Sequence, residues 1–71
     1  MPTDDLPDPV PGPELAALRK RLGVTQQALA DALGVHRTRV NAWERAQPLD
    51  AIRAVRYQQT LRRLVSEAVA P

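Results

Sequence analysis

Three arginines and one asparagine stand close together in the stretch RTRVNAWER, residues 37–45. The guanidinium group of arginine stays charged at every physiological pH and offers five N–H donors in a planar fork, which suits phosphates and paired acceptors. Asparagine adds two donors and one acceptor on a short side chain. We therefore interpret this stretch as the candidate binding segment of the chain.

The distribution of charge favours a negatively charged partner. The 71 residues carry ten basic and eight acidic side chains, which gives a net charge of +2. Residues 1–14 hold four of the acids and no base, so residues 15–71 hold all ten bases against four acids. A small basic domain favours a polyanion as its partner, although basic domains that bind nothing acidic also occur.

The composition argues against an enzyme. The chain has no cysteine, no glycine-rich phosphate loop and a single histidine, His36, so it offers no residues for a zinc site or a histidine cluster. We expect no metal and no cofactor. The acidic start, and the lack of any apolar run near the roughly 20 residues of a membrane span, favour a cytoplasmic protein.

Helices must position the polar residues, because phenylalanine is absent and the apolar residues are mostly Leu, Val, Ile and Ala. The spacing of these residues, with Gly, Pro and Thr at the ends of each segment, predicts an all-α bundle. Four helices are expected, over residues 14–22, about 26–33, 36–45 and 49–69.

The second and third predicted helices are joined by a short turn that contains Gly34. Glycine readily adopts the left-handed backbone conformation that a tight turn between two crossing helices needs. Ala30 is small enough for the third helix to cross closely above it. Apolar residues occupy the positions where the inner faces should meet, namely Leu29, Leu33, Val35, Val40 and Trp43. Together these features predict a helix-turn-helix unit.

The stretch LRKRLGVTQQALADALGVHRTRVNAWER, residues 18–45, resembles the Cro/cI-type (XRE-type) helix-turn-helix family of phage repressors and bacterial regulators. The diagnostic parts are TQ at the second helix, LA…LGV before the turn and WE at the end of the third helix. The resemblance implies a lambda-repressor-like bundle of four to five helices. It also implies a sequence-specific regulator of transcription, expected to be a repressor, that binds double-stranded DNA as a dimer on a near-palindromic site.

The same resemblance assigns roles to the polar residues. It implies that Arg37, Thr38 and Asn41 read base edges, since arginine pairs with guanine and asparagine with adenine. His36 stands where the family usually has a capping Ser or Thr; because histidine is expected to cap poorly, we expect its ring to contact DNA or its neighbours to compensate. Ala42 stands where several relatives carry a base-reading side chain. The expected contacts to the DNA backbone are Gln26, Gln27, His36, Arg39 and Arg45.

Other residues are expected to support the fold. Glu44 resembles a family glutamate that pairs with an arginine of the first helix, here Arg19, and fastens the third helix to the first. Trp43 should lie in the core beside Val40 rather than stack on a base. Ala30 and Gly34 complete this structural set.

The last predicted helix carries two apolar stripes. Leu49, Ile52 and Val55 form the first, which should complete the core. The second is left over, so it predicts a homodimer interface, unless the last two turns fold back or fray. Its members are Tyr57, Leu61, Leu64, Val65 and Ala68.

Residues 1–13 contain five prolines and predict an extended or disordered acidic tail. This tail either has no function or acts as an arm that contacts a partner or shields the basic face. A second class of function also stays open. The chain is then an antitoxin-like or other protein-interaction module whose C-terminal helix or tail binds a partner protein.

Overall fold

The computed structural model describes residues 10–69 of the chain. They form four helices, α1 Gly12–Arg21, α2 Gln26–Leu33, α3 Arg37–Arg45 and α4 Ala51–Val69. The predicted all-α class and helix-turn-helix are confirmed. None of the helices in the described residues is both long and apolar enough to cross a membrane.

The first helix begins earlier than the sequence predicts. The Gly12 N–H donates to the Ala46 carbonyl oxygen at 2.7 Å, and Val10 pairs with Leu49 in an isolated antiparallel bridge. A Cβ atom on Gly12 would lie 2.2 Å from the Trp43 carbonyl oxygen, so only glycine allows this approach. Residues 10–13 are therefore docked on the end of α3, and the prediction that they belong to a disordered tail is wrong. The remainder of that tail, residues 1–9, lies outside the described residues.

The two central helices and their turn follow the local signals of the sequence. Thr25 caps α2, because its Oγ1 accepts from the Ala28 N–H at 3.0 Å. Gly34 ends α2 with φ +74°, the expected left-handed conformation. Ala30 is fully buried, as a close crossing of α2 and α3 requires.

The start of α3 corrects one expectation. His36 is a working N-cap, because its Nδ1 accepts from the Thr38 N–H at 3.2 Å. A neutral imidazole has one nitrogen with a free lone pair, which takes the place of the hydroxyl oxygen of Ser or Thr. The Thr38 hydroxyl lies 3.0 Å from the same nitrogen.

The fourth helix is a single rod of 19 residues, but its inner face differs from the predicted one. Leu49 lies before the helix, and the core stripe of the helix itself runs through Ala54, Tyr57 and Leu61 at intervals of three and four residues. Ile52 is 75% exposed, so its expected place in the core is wrong.

Val55 is also exposed, at 37%. Tyr57 and Leu61 are fully buried within the chain, so the prediction that they form surplus surface for a dimer is wrong. Leu64 and Val65 are half-buried and Ala68 is exposed.

One hydrophobic core joins the four helices and the segment before α4. Trp43 is buried there with Val40, as predicted. Burying a large apolar side chain stabilises a fold by roughly 1.5–3 kcal/mol, and seven of the nine buried apolar residues are of this kind, the other two being alanines. The buried apolar residues are Leu15, Leu29, Ala30, Val40, Trp43, Leu49, Ala54, Tyr57 and Leu61.

Candidate nucleic-acid interface

The third helix has one buried and one exposed face. Val40, Trp43 and Glu44 are buried against the other helices. Asn41 is half-buried, and the remaining polar or small side chains point to solvent. The exposed set consists of Arg37, Thr38, Arg39, Ala42 and Arg45. Most of the residues that the sequence predicts for DNA contact are thus accessible on one helix.

A buried ion pair fixes the end of α3 to α1. Arg19 Nε donates to Glu44 Oε2 at 2.6 Å, and Arg19 Nη2 donates to Glu44 Oε1 at 3.1 Å. Arg19 Nη1 also donates to the Val24 carbonyl oxygen at 2.8 Å. The expected pair is therefore present in a two-pronged geometry, which is the strong form of an arginine–carboxylate contact.

The ionisation of this pair is set by its surroundings. Burial alone favours a raised pKa for Glu44, but hydrogen bonds from Arg19, Tyr57 and Gln26 outweigh it, and the pKa lies below the ordinary value. The hydrogen bond to Glu44 raises the pKa of Arg19. Both groups are therefore charged at neutral pH.

Tyr57 of α4 is a partner of this pair that sequence analysis missed. Its hydroxyl donates to Glu44 Oε2 and lies 3.3 Å from the Leu15 carbonyl oxygen. Burial, followed by the hydrogen bond to Glu44, raises the pKa of the Tyr57 hydroxyl well above its usual value. A tyrosine on the core stripe of a helix needs a partner for its hydroxyl, and that signal was available in the sequence.

Gln26, at the start of α2, connects the ion pair to the exposed residues of α3. Its Nε2 donates to Glu44 Oε1 at 2.9 Å and to Asn41 Oδ1 at 3.3 Å. Its Oε1 accepts from Arg37 Nη1 at 3.3 Å. The structure therefore brings together two of the three predicted base-reading residues. A phosphate contact through Gln26 Nε2 competes with two acceptors inside the domain.

Two open grooves flank α3. The first, which we call the α1-side groove, lies between α1, the start of α2 and α3, and Lys20 adds a positive charge to it that sequence analysis did not assign. Its polar rim consists of Lys20, Gln26, Gln27, Arg37, Asn41 and Arg45.

The second, the α4-side groove, lies between α3 and the segment that leads into α4. Arg53 is a further cation that sequence analysis missed; its Nη1 donates to Asp50 Oδ1 at 2.6 Å, and this hydrogen bond lowers the pKa of Asp50. Its polar lining consists of His36, Thr38, Arg39, Asp50 and Arg53. Gln27 belongs to the other groove, and its amide donates to Asp31 at 2.8 Å.

A comparison with protein families gives this geometry its context. A sequence model described as "Helix-turn-helix" matches residues 15–66, which is more than half of the chain. The chain belongs to the Cro/cI-type (XRE-type) helix-turn-helix family. This helix-turn-helix chain matches no curated protein and no solved structure.

Membership establishes the general function of the helix-turn-helix chain. The family is a DNA-binding family rather than an enzyme family, and the chain is a DNA-binding helix-turn-helix regulator. The matched region includes α2, the turn at Gly34 and α3. The roles of individual side chains toward DNA stay predictions.

Proposed function

We propose that the chain is a sequence-specific repressor of transcription that reads the major groove of double-stranded DNA with α3. The observation that carries this proposal is the placement of Arg37 and Asn41 on α3, where the side chains of both residues are hydrogen-bonded to Gln26 of α2. Side chains that are already oriented lose less conformational entropy when they bind. Arginine then places two donors on guanine O6 and N7, and asparagine pairs with adenine N6 and N7.

Thr38 and Ala42 complete the face that enters the groove. The hydroxyl of Thr38 suits either a donor or an acceptor on a base edge, and the methyl group of Ala42 suits the methyl group of thymine. Both side chains are exposed on α3.

Phosphate contacts are assigned to the two rims of this face. Cations on both sides of α3 can straddle the groove, since phosphates line its two edges. A domain held this way covers its DNA site and excludes polymerase, which is the basis for proposing repression. We place this repression in the cytoplasm. The assigned residues are Gln26, Gln27, His36, Arg39 and Arg45, together with Lys20 and Arg53 from the structure.

The experiment for this function is selection of bound duplexes from random-sequence DNA. We expect enrichment of one near-palindromic motif whose half-sites lie about 10 bp apart, one turn of the duplex. If the bound duplexes share no motif and the amount of bound DNA varies only with ionic strength, sequence-specific reading is contradicted.

We also propose that the chain binds its operator as a homodimer. The stripe of α4 that enters the core continues beyond Leu61 into Leu64, Val65 and Ala68, which are only half-buried or exposed. A second copy that packs on this end covers apolar surface which the chain leaves open. Two copies also supply the two recognition helices that a palindromic site requires.

Sedimentation at micromolar concentration checks the dimer. Val65→Asp should shift the wild-type dimer to a folded monomer that binds the full site weakly, because a buried carboxylate without a partner is costly. Gln59→Asp is the matched control, since Gln59 is exposed on the opposite side of α4. A monomeric wild type that fills both half-sites independently would contradict the dimer.

One observation favours the second candidate, a protein-interaction module. Ile52 and Val55 form an exposed apolar pair on the outer side of α4, three residues apart. An apolar pair of this kind suits a contact with a partner protein. Affinity capture with the wild type and with Ile52→Lys as baits discriminates the two candidates. If one protein binds the wild type in stoichiometric amount and is lost from Ile52→Lys, while DNA binding is unchanged, the interaction module is favoured.

A further inference from the structure

A series of hydrogen bonds leads from the core of the domain to the surface of α3. The Tyr57 hydroxyl donates to Glu44 Oε2, Glu44 Oε1 accepts from Gln26 Nε2 at 2.9 Å, and Gln26 Oε1 accepts from Arg37 Nη1 at 3.3 Å. We propose that Tyr57, which is fully buried and out of reach of DNA, is a positioning residue that orients Arg37 through Glu44 and Gln26. This proposal rests on the proposed base-reading function of Arg37.

The direction of each hydrogen bond follows from the chemistry of the groups. An ionised carboxylate only accepts hydrogen bonds and a guanidinium group only donates them. The amide of Gln26 lies between the carboxylate of Glu44 and the guanidinium of Arg37. It therefore has one favourable orientation, with Nε2 toward Glu44 and Oε1 toward Arg37, because the flipped amide would face acceptor with acceptor and donor with donor.

Tyr57 helps to fix the carboxylate of Glu44, which sets the orientation of the Gln26 amide. Glu44 Oε2 receives both the Tyr57 hydroxyl and Arg19 Nε, which leaves Oε1 to Gln26 and to the second prong of Arg19. Without the hydroxyl, Glu44 Oε2 keeps Arg19 Nε as its remaining donor, and the carboxylate is held less firmly within the fork of Arg19. Rotation of the carboxylate moves Oε1 relative to Gln26, and the restraint on Arg37 is weakened with it.

The second N–H group of Gln26 extends the same restraint to Asn41, whose Oδ1 accepts at 3.3 Å. The amide of Gln26 thus has partners for both of its donors and for its oxygen. Side chains in one hydrogen-bond network do not contribute independently, and a double-mutant cycle measures how far they depend on one another. The arrangement predicts that substitutions of Tyr57 and Gln26 are coupled although no hydrogen bond joins the two side chains directly.

The test uses three variants of the full chain. Tyr57→Phe removes only the hydroxyl and keeps the ring in the core. Gln26→Met removes the polar atoms of the connecting side chain at a half-exposed site. Leu61→Val is the control for stability, since Leu61 is fully buried one turn further along α4 and has no polar side-chain atom that could join the hydrogen bonds described above.

Two quantities are measured for each variant. The first is the ratio of affinities for the duplex that the wild type selects and for a duplex of scrambled sequence. The second is the pair of Gln26 side-chain amide signals in the NMR spectrum of the free protein. Tyr57→Phe should lower the ratio roughly three- to tenfold, a part of what one bidentate arginine–guanine contact supplies, and should shift the amide signals. Leu61→Val should change neither quantity, although it lowers stability.

The double variant separates positioning from a general loss of structure. In the Gln26→Met background, Tyr57→Phe should leave the ratio unchanged, because the connection to Arg37 is already broken. Equal losses in both backgrounds would overturn the proposal, and so would unchanged Gln26 signals in Tyr57→Phe. Failure of the wild type to enrich any duplex would overturn base reading itself, while the amide signals would still show whether Tyr57 orients Gln26.

Discussion

The two grooves beside α3 are both lined by cations but hold their side chains in different ways. In the α1-side groove, Arg37 and Asn41 are bonded to Gln26, which is bonded to a buried ion pair. In the α4-side groove, the ion pair of Arg53 with Asp50 lies at the surface and leads to no buried group. Restrained donors discriminate between acceptor positions, whereas mobile cations follow phosphates in many geometries. We therefore expect most of the sequence discrimination from Arg37 and Asn41 in the α1-side groove, and mainly general affinity from the cations of the α4-side groove.

The largest effect should come from the buried pair itself. Glu44→Ala should destabilise the fold by about 3–5 kcal/mol, because it leaves Arg19 buried without its carboxylate. Urea unfolding measures this loss. Asp50→Asn breaks the exposed ion pair with Arg53 but keeps a side-chain acceptor for the Arg53 backbone N–H at the start of α4, so it should unfold close to the wild type. Equal urea midpoints for the two variants would contradict the proposed difference in anchoring between the two grooves.

The pH dependence of stability should show the contribution of Glu44 on the acid side and that of Tyr57 on the alkaline side. Glu44 has a lowered pKa in the folded chain, so the stability it contributes is present above the ordinary carboxyl range and is lost as pH falls through the lowered value. Tyr57 has a raised pKa, so its contribution is present below about pH 10 and is lost as pH rises above that value.

Unfolding free energies across the pH range check these signs. Glu44→Gln should flatten the acid loss, and Tyr57→Phe should flatten the alkaline loss. Asp50→Asn is the exposed control on the acid side. An alkaline loss of the same size in Tyr57→Phe and the wild type would assign that loss to other groups.

A smaller effect concerns discrimination between DNA sequences. Arg37→Ala and Asn41→Ala should each cost roughly 1–3 kcal/mol on the selected duplex and much less on a scrambled one. Titration of both duplexes at one salt concentration gives the two losses. Arg39→Ala, in the other groove, is the control and should weaken both duplexes alike. If Arg37→Ala also weakens both alike, its role is a backbone contact.

The salt dependence of binding sharpens the comparison further. The logarithm of the binding constant should fall with the logarithm of salt concentration by about 0.9 for each phosphate that is neutralised. Arg39→Ala should reduce this slope by about 1, whereas Arg63→Ala should leave it unchanged because Arg63 lies on α4 beside Glu67. A binding constant independent of salt would contradict the electrostatic account.

The smallest effect should come from the acidic start of the chain. Replacing Asp4, Asp5 and Asp8 by Asn removes three negative charges, so binding to scrambled DNA should strengthen modestly. The melting temperature should stay the same. Deletion of residues 1–9 should match the triple variant if charge alone is responsible, and a larger change would indicate another contribution from this segment.

Local signals predicted the central part of the fold well. The cap at Thr25, the left-handed Gly34 and the buried Trp43 each depend on neighbours within a few residues, and a sequence shows such neighbours directly. The pair of Arg19 with Glu44 was accessible through family resemblance, since no local pattern links residues 25 positions apart.

Features that depend on tertiary contact were predicted poorly. The inner face of α4 was misassigned because Leu49 sits in the segment before the helix and so gave a false starting point for the apolar stripe. Proline content alone made residues 10–13 look disordered, although they dock on α3. The link through Gln26 was also missed because it is a tertiary contact, since the partners of this α2 side chain all lie on α3.

Gly12 has a consequence for the recognition of relatives. A side chain at this position would overlap the Trp43 carbonyl oxygen, so the close contact of residues 10–13 with the end of α3 depends on a residue without Cβ. A glycine three residues before the first core leucine, Leu15, is then a marker of this docked start in other sequences. A relative with a larger residue there must hold its first helix further from the end of the recognition helix. The segment that precedes the domain then enters it along a different path.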